Sequence, residues 1–315
     1  MLRRLLSIPL LAAFLLAVGP APAQEKKERD IFDYDAQKAA KDVKRIVFVA
    51  DTAPHGPRGN HEFLAAAIYL ARTVNATYPN VYATVHTIGK WPKDLEHADA
   101  VVVLLNHGRT AVNPAVEKAM ARGAGFMAIH YGVEVNKGAQ GENYLKWMGG
   151  YFETFWSVNP FWVPKFEKIP EHETTRGVKP FAINDEWYYH MRFVDDMKGV
   201  TPILSAVAPV ETITKRWDGK KPGAHNGNQG ALDDVKRGKP QHVAWAYVRE
   251  GGGRGFGFTG YHNYSNLTND SFRTLLLNAA AWTAKLEVPS GGIQTKTPTK
   301  DDLEKLWQDG ERIPQ

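Results

Sequence analysis

The chain has 315 residues, with 39 basic and 34 acidic side chains, a formal net charge of +5 and no cysteine. The missing thiols exclude cysteine nucleophiles, thiolate zinc sites, disulfides and redox pairs, so any chemistry must rest on His, carboxylates, hydroxyls, Lys or a bound metal. The small positive excess comes without a basic run or a periodic Arg/Lys face, so nucleic acid is not an expected partner.

At the start, Arg3-Arg4, the apolar run from Leu10 to Val18 and Ala21-Pro22-Ala23 follow the order of a secretory signal peptide, with a run too short to span a bilayer. Cleavage after Ala23 would leave 37 of the 39 basic residues against 34 acidic ones. No cysteine follows the cleavage point, so no lipid anchor is expected. These features predict a secreted protein, of the bacterial periplasm, with no membrane anchor after cleavage. The organisation read from the chain is a signal peptide over 1–23, a charged N-terminal arm over 24–43, one α/β domain over 44–288 and a polar, peripheral tail over 289–315.

Short β-branched apolar runs predict buried strands at 45–49, 81–87, 100–105, 125–129, 202–207, 243–248 and 255–259. Helical patterns lie at 61–74, at 114–122 with Pro114 in its opening turn, at 142–148 and at 270–285. The alternation implies an α/β fold of three layers, a mostly parallel sheet flanked by helices. Residues 150–235 break the pattern. They are rich in aromatics (Tyr151, Phe152, Phe155, Trp156, Phe161, Trp162, Trp187, Tyr188, Tyr189) and read as an insertion lining a cleft, although packing against the sheet would use the same residues.

Four predicted strands end in histidine. The first leads to His55 and His61, the next to His107, another to His130 and the last to His262. In a parallel sheet all of these lie at one carboxyl edge, where open α/β proteins bind ligands. A single histidine at a strand end is more often a hydrogen-bonded structural residue. Four such endings point to a shared site, and His86 and His97, which end no strand beside a glycine turn, read as structural or surface residues. Imidazole either moves protons near neutral pH or binds a divalent ion, and the sequence leaves both open. The Gly56-Pro57-Arg58-Gly59 turn is not a phosphate loop, since no Gly-Lys-Ser/Thr follows, and no nucleotide cofactor is expected.

The densest polar cluster is Asn184-Asp185-Glu186-Trp187-Tyr188-Tyr189-His190. On an extended segment Asp185, Trp187 and Tyr189 share one face while Glu186, Tyr188 and His190 share the other. Such a face suits acid–base work or a metal, and an aromatic ring can stack on a sugar. An edge strand with its polar side in water fits the pattern equally.

With His55-Gly56-Pro57-Arg58-Gly59-Asn60-His61-Glu62-Phe63, the Gly123–His130 segment, Trp147-Met148-Gly149-Gly150, the Asp185–Tyr188 cluster and the Gly253–His262 segment in this order, the chain resembles the ThuA-like (trehalose utilisation) family from about Lys44 to Ala284. The resemblance implies a fold similar to class I glutamine amidotransferases and to flavodoxin. It places His130 at the nucleophile elbow, where an amidotransferase needs a thiol, so ammonia production from glutamine is not expected. It also implies action on a small carbohydrate, in particular on disaccharides or glycosides oxidised to 3-keto sugars, as a lyase, isomerase or hydrolase. The expected catalytic set is His130, Glu186, Tyr188 and His262, with Glu186 or His130 as base and Tyr188 as proton donor or sugar-orienting group. Asp185, Trp187, His107 and Tyr261 are the expected substrate contacts. His55, His61, His130 and His262 are the expected ligands of a divalent ion such as zinc, manganese or magnesium. Hydrolysis by two carboxylates would require a partner for Glu186, for which Asp51, Glu153 and Glu134 are candidates. A non-catalytic carbohydrate-binding or accessory protein is the alternative, and an oligomer is left open.

Overall fold

The structure, a computed structural model, describes residues 29–53, 55–214 and 228–311. The signal-peptide segment lies outside the described residues. In chain order the elements are α1 (Tyr34–Ala39), β1 (Lys44–Ala50), α2 (Phe63–Thr77), β2 (Val81–Thr87), β3 (Ala100–Leu104), α3 (Pro114–Ala121), β4 (Gly125–Ile129), β5 (Glu134–Val135), α4 (Ala139–Met148) and β6 (Gly150–Glu153). They continue with β7 (Lys165–Phe166), β8 (Phe181–Ala182), β9 (Arg192–Phe193), β10 (Val200–Ala206), α5 (Glu211–Thr214), α6 (Gln229–Lys236), β11 (Gln241–Val248), β12 (Arg254–Phe258), α7 (Asp270–Thr283) and α8 (Lys300–Glu311).

Seven strands form one sheet in the order β10-β11-β12-β4-β3-β1-β2. The five from β12 to β2 are parallel, while β11 runs antiparallel to both of its neighbours. The mixed, mostly parallel sheet is the expected α/β architecture, with an antiparallel edge that strand-length patterns do not encode. Along β1 the side chains alternate between two cores: Ile46 and Phe48 pack with residues of α2 and α7, and Val47 and Val49 pack with residues of α3 and α4. Helices thus cover both faces, and β1, β3, β4 and β12 are buried on each side, which is why they read as unbroken apolar runs.

Local chemistry sets the ends of the helices. Asn113 caps α3 by accepting from the N–H groups of Ala115 and Val116, with Pro114 at the first helical position. Gly149 ends α4 at φ +77°, a left-handed conformation that a side chain resists.

The region expected to be an insertion contributes β10 to the edge of the main sheet, and its other described strands form small two- and three-stranded pieces. Most of its aromatics take the packing role: Phe152, Trp162, Trp187 and Tyr189 are buried. The C-terminal tail was expected to be peripheral, yet it docks by α8, burying Leu303 and Leu306. Two buried leucines in a charged twelve-residue stretch are too sparse to stand out in composition.

Candidate functional site

The register aligns Ala50 with Leu104, Leu104 with Ile129 and Ile129 with Phe258, so the chain leaves β1, β3, β4 and β12 at one edge. His130 comes directly after β4. His61 lies in the turn before α2, and its N–H donates to the carbonyl of His262, in the turn after β12, at 2.9 Å. The two turns are also joined where the Tyr264 N–H donates to the Gly59 carbonyl at 2.9 Å. Glu186 arrives from the insertion, whose extended segment is paired to its neighbour at Trp162↔Asp185 and Val158↔Tyr189.

One ligand atom from each of His61, His130, Glu186 and His262 falls within 4.8 Å of the others. His61 Nε2 is 3.0 Å from His130 Nε2, His130 Nε2 is 3.5 Å from Glu186 Oε2, and His262 Nδ1 is 3.0 Å from Glu186 Oε2. The tautomers follow from the backbone. His61 Nδ1 donates to the carbonyl of His55, and His130 Nδ1 donates to the carbonyl of Thr259 at 2.7 Å. Carbonyls only accept, so each neutral ring keeps its proton on Nδ1 and turns a bare Nε2 lone pair toward the other. Two lone pairs at 3.0 Å repel unless a proton or a metal ion sits between them. An imidazole whose second nitrogen donates to a backbone carbonyl is also the usual arrangement of a metal-bound histidine. A tetrahedral ion with bonds of about 2.0–2.1 Å spaces its ligand atoms roughly 3.3 Å apart, close to the three separations here.

Burial, reinforced by the charges of His130 and His262, lowers the His61 pKa to about 3, so this ring is neutral at physiological pH. Burial alone would push Glu186 upward. The adjacent His130 and His262 imidazoles outweigh that and hold it down at about 2. The Tyr188 hydroxyl lies 3.1 Å from His130 Nε2 and 3.4 Å from Glu186 Oε2, and burial raises its pKa well above the usual value, so it stays protonated.

His61, Glu186, Tyr188 and His262 line a cavity of about 790 Å³, a volume suited to a small-molecule ligand. Phe161 sits edge-on to His262 with ring centroids 4.6 Å apart, and Asn159 donates to Glu186 Oε1 at 3.1 Å. Asn60, Asn184, Tyr131 and Glu134 also line the space. Tyr131, Asn60, Asn184 and Asn159 were not anticipated. The only sequence signal for Tyr131 was its place beside His130 in the elbow; Asn60 and Asn184 lay within the sequence motifs without a role, and Asn159 gave no signal.

Of the expected residues, the structure gathers His61, His130, Glu186, Tyr188 and His262 and separates the others. His55 lines the cavity, but its exposed ring is not in the four-residue cluster; its carbonyl orients His61, and Glu186 takes the fourth position. Asp185 is fully buried, and its carboxylate accepts from the N–H groups of Tyr261 and His262, each at 2.8 Å, and from Asn266 Nδ2 at 2.8 Å. It therefore shapes the His262 turn from behind and does not reach a ligand. Trp187 and Tyr261 are likewise fully buried in the core, and a Cβ on Gly260 would meet the Trp187 ring at 2.6 Å. His107 is absent from the cavity wall among the described residues. His190, expected on the face of Glu186 and Tyr188, has φ +56°, which ends the extended segment and turns its ring toward Trp156 and Asp234. Among the candidate second acids, Glu153 is paired with Arg192 at 2.7 Å and Asp51 accepts from the Asn106 N–H at 2.6 Å, while Glu134 faces the cavity.

The ThuA family model, described as trehalose utilisation, matches residues 55–283. A search of curated proteins found no significant match. Among solved structures, a ThuA-like protein from Bacteroides uniformis is similar at a TM-score of 0.51 and 16% identity, over 81% of this chain and 96% of that one. PurLQS from Thermotoga maritima aligns at a TM-score of 0.38 and 12% identity, over 77% of this chain and 97% of that one.

Proposed function

The chain belongs to the ThuA family, and on that premise we propose that it is an exported, metal-dependent enzyme acting on 3-keto glycosides or disaccharides as a lyase, isomerase or hydrolase. The observation that carries the reading is the facing pair of Nε2 atoms on His61 and His130, 3.0 Å apart, with Glu186 and His262 beside them. The export component rests on the Arg3-Arg4, apolar-run and Ala21-Pro22-Ala23 order. No helix among the described residues is long and apolar enough to cross a membrane.

His61, His130, His262 and Glu186 would hold the divalent ion. When bound, such an ion supplies Lewis-acid stabilisation for an oxygen that gains negative charge. Glu186, set among the three imidazoles, would serve as an anionic ligand, which moves the role of base away from it. Glu134 is the remaining carboxylate on the cavity wall, and it accepts from the Thr154 hydroxyl at 2.8 Å. In the lyase form of the reading, Glu134 takes the proton from the carbon between the keto group and the anomeric carbon. The C–H electron pair forms the enolate and then returns to expel the glycosidic oxygen, which receives that proton from the Glu134 carboxyl. Tyr188, protonated throughout the neutral range, spends its one O–H on Glu186 or His130 and orients the sugar by accepting from a sugar hydroxyl. Among the described residues lining the cavity there is no lysine or arginine, which supports an uncharged sugar over a phosphorylated one.

The test is turnover of a 3-keto disaccharide by the purified protein before and after chelation. Loss on chelation and recovery on adding back zinc, manganese or magnesium is expected. Full activity in metal-free protein would remove the metal from the account, and sugar binding without turnover would leave the cleft a carbohydrate-binding site.

A further inference from the structure

Helix α8 lies beyond the matched span of 55–283 and takes no part in the chemistry above. Leu303, Leu306, Trp307 and Gly310 fall at helical spacing on one side of it, and all but Trp307 are buried. Arg72 on α2 pairs with Asp309 at 2.6 Å. The more informative contacts reach the site. Arg58 lies over the Trp307 ring, 3.8 Å from its centroid, and its guanidinium also pairs with Glu304. Trp307 and Glu62 line the same small cavity between α8 and the start of α2, and Glu62 Oε1 accepts the Gly59 N–H at 2.9 Å. Arg58, Gly59 and Glu62 bracket His61, which is held at φ +55°. The Tyr264 hydroxyl donates to the Leu303 carbonyl at 2.9 Å from the turn that carries His262.

We propose that α8 is a positioning element of the site, with Trp307 and Glu62 as positioning residues that hold the 56–61 turn so that His61 Nε2 faces His130. A non-glycine residue at positive φ persists only where its surroundings over-determine it. Here the surroundings include a helix some 240 residues away along the chain. Released from α8, the turn relaxes, His61 swings away and three ligands remain. The cation-affinity part of this inference rests on the metal reading, and the ordering of the turn does not.

The experiment uses the full chain and two readouts: cobalt(II) titration followed by d–d absorption, and amide hydrogen exchange across 56–62 in metal-free protein. For Trp307→Ala, exchange across 56–62 should quicken by about tenfold while β4 stays protected, and cobalt affinity should fall by about 10–100-fold with an altered spectrum, the range expected when an outer partner of a metal ligand is lost. Trp307→Phe, which keeps the ring under Arg58 and loses the N–H, should recover part of both effects. Unchanged exchange across 56–62 in Trp307→Ala overturns the proposal. If that variant does not fold, Trp307→Phe and Glu304→Gln are read the same way, and unchanged exchange in both overturns it. A wild-type protein that binds no cobalt sinks the metal reading alone, because the exchange measurement still decides the role of α8.

Discussion

His61 at φ +55°, His130 at φ +53° and Tyr261 at φ +92°, the residue before His262, place left-handed backbone at each turn that delivers an imidazole to the cluster. Non-glycine residues in that region are uncommon and gather where a structure is held against its local preference. Asp185 does much of the holding for His262, since one carboxylate receives the N–H groups of Tyr261 and His262. Replacing it by alanine should lower stability by about 2–4 kcal/mol in urea unfolding, because several buried donors lose a charged acceptor. A change below about 0.5 kcal/mol would contradict this role. Glu186 behaves differently, as its carboxylate faces the imidazoles and the cavity. Glu186→Gln keeps its shape and removes its charge, and should weaken zinc or cobalt affinity at least about tenfold. Equal affinity in the two proteins would remove Glu186 from the cluster of ligands.

At the scale of elements, β2 carries a partly buried imidazole that is independent of the site. His86 lies edge-on to Tyr34 of α1, with Thr84 Oγ1 at 3.1 Å, and burial lowers its pKa to about 4, partly offset by a backbone hydrogen bond with Lys90. The ring is neutral when folded and protonates near 6.5 when unfolded. Its contribution is therefore complete above that value and is lost as pH falls toward 4. Between pH 7 and pH 5 it should account for about 1–2 kcal/mol of lost stability. That part of the acid sensitivity should vanish in His86→Gln, and an identical pH slope in the two proteins would refute the assignment. The strands of the main sheet were legible in sequence because strands buried on both faces must be apolar at every position. The antiparallel β10–β11 edge was not, since residue type does not carry strand direction. The gathering of His61, His130 and His262 was legible from strand ends alone. The inward turn of Asp185, Trp187 and Tyr261 was not, because polar and aromatic residues serve a core and a cleft equally well. Alternation did place Glu186 and Tyr188 together, and it failed at His190, where a positive φ that no side-chain pattern announces ends the extended segment.

On the scale of the whole molecule, a parallel sheet brings distant segments to one edge, and the insertion closes over that edge with Glu186, Tyr188 and Phe161. A cation held by β1-, β4- and β12-linked turns and by the insertion would tie four parts of the chain together, so it should act as a folding ligand. At a free concentration of 100 times Kd it should add about 2.7 kcal/mol to unfolding, and chelation should lower Tm accordingly. A Tm that ignores both chelator and added metal would argue against this link. The most direct measurement is the metal-to-protein ratio of the purified wild-type chain set beside that of His61→Ala/His130→Ala. One divalent ion per wild-type chain and almost none in the double variant is the predicted result. A wild-type protein that turns over sugar with no metal bound, or a double variant that keeps its ion, would contradict the account.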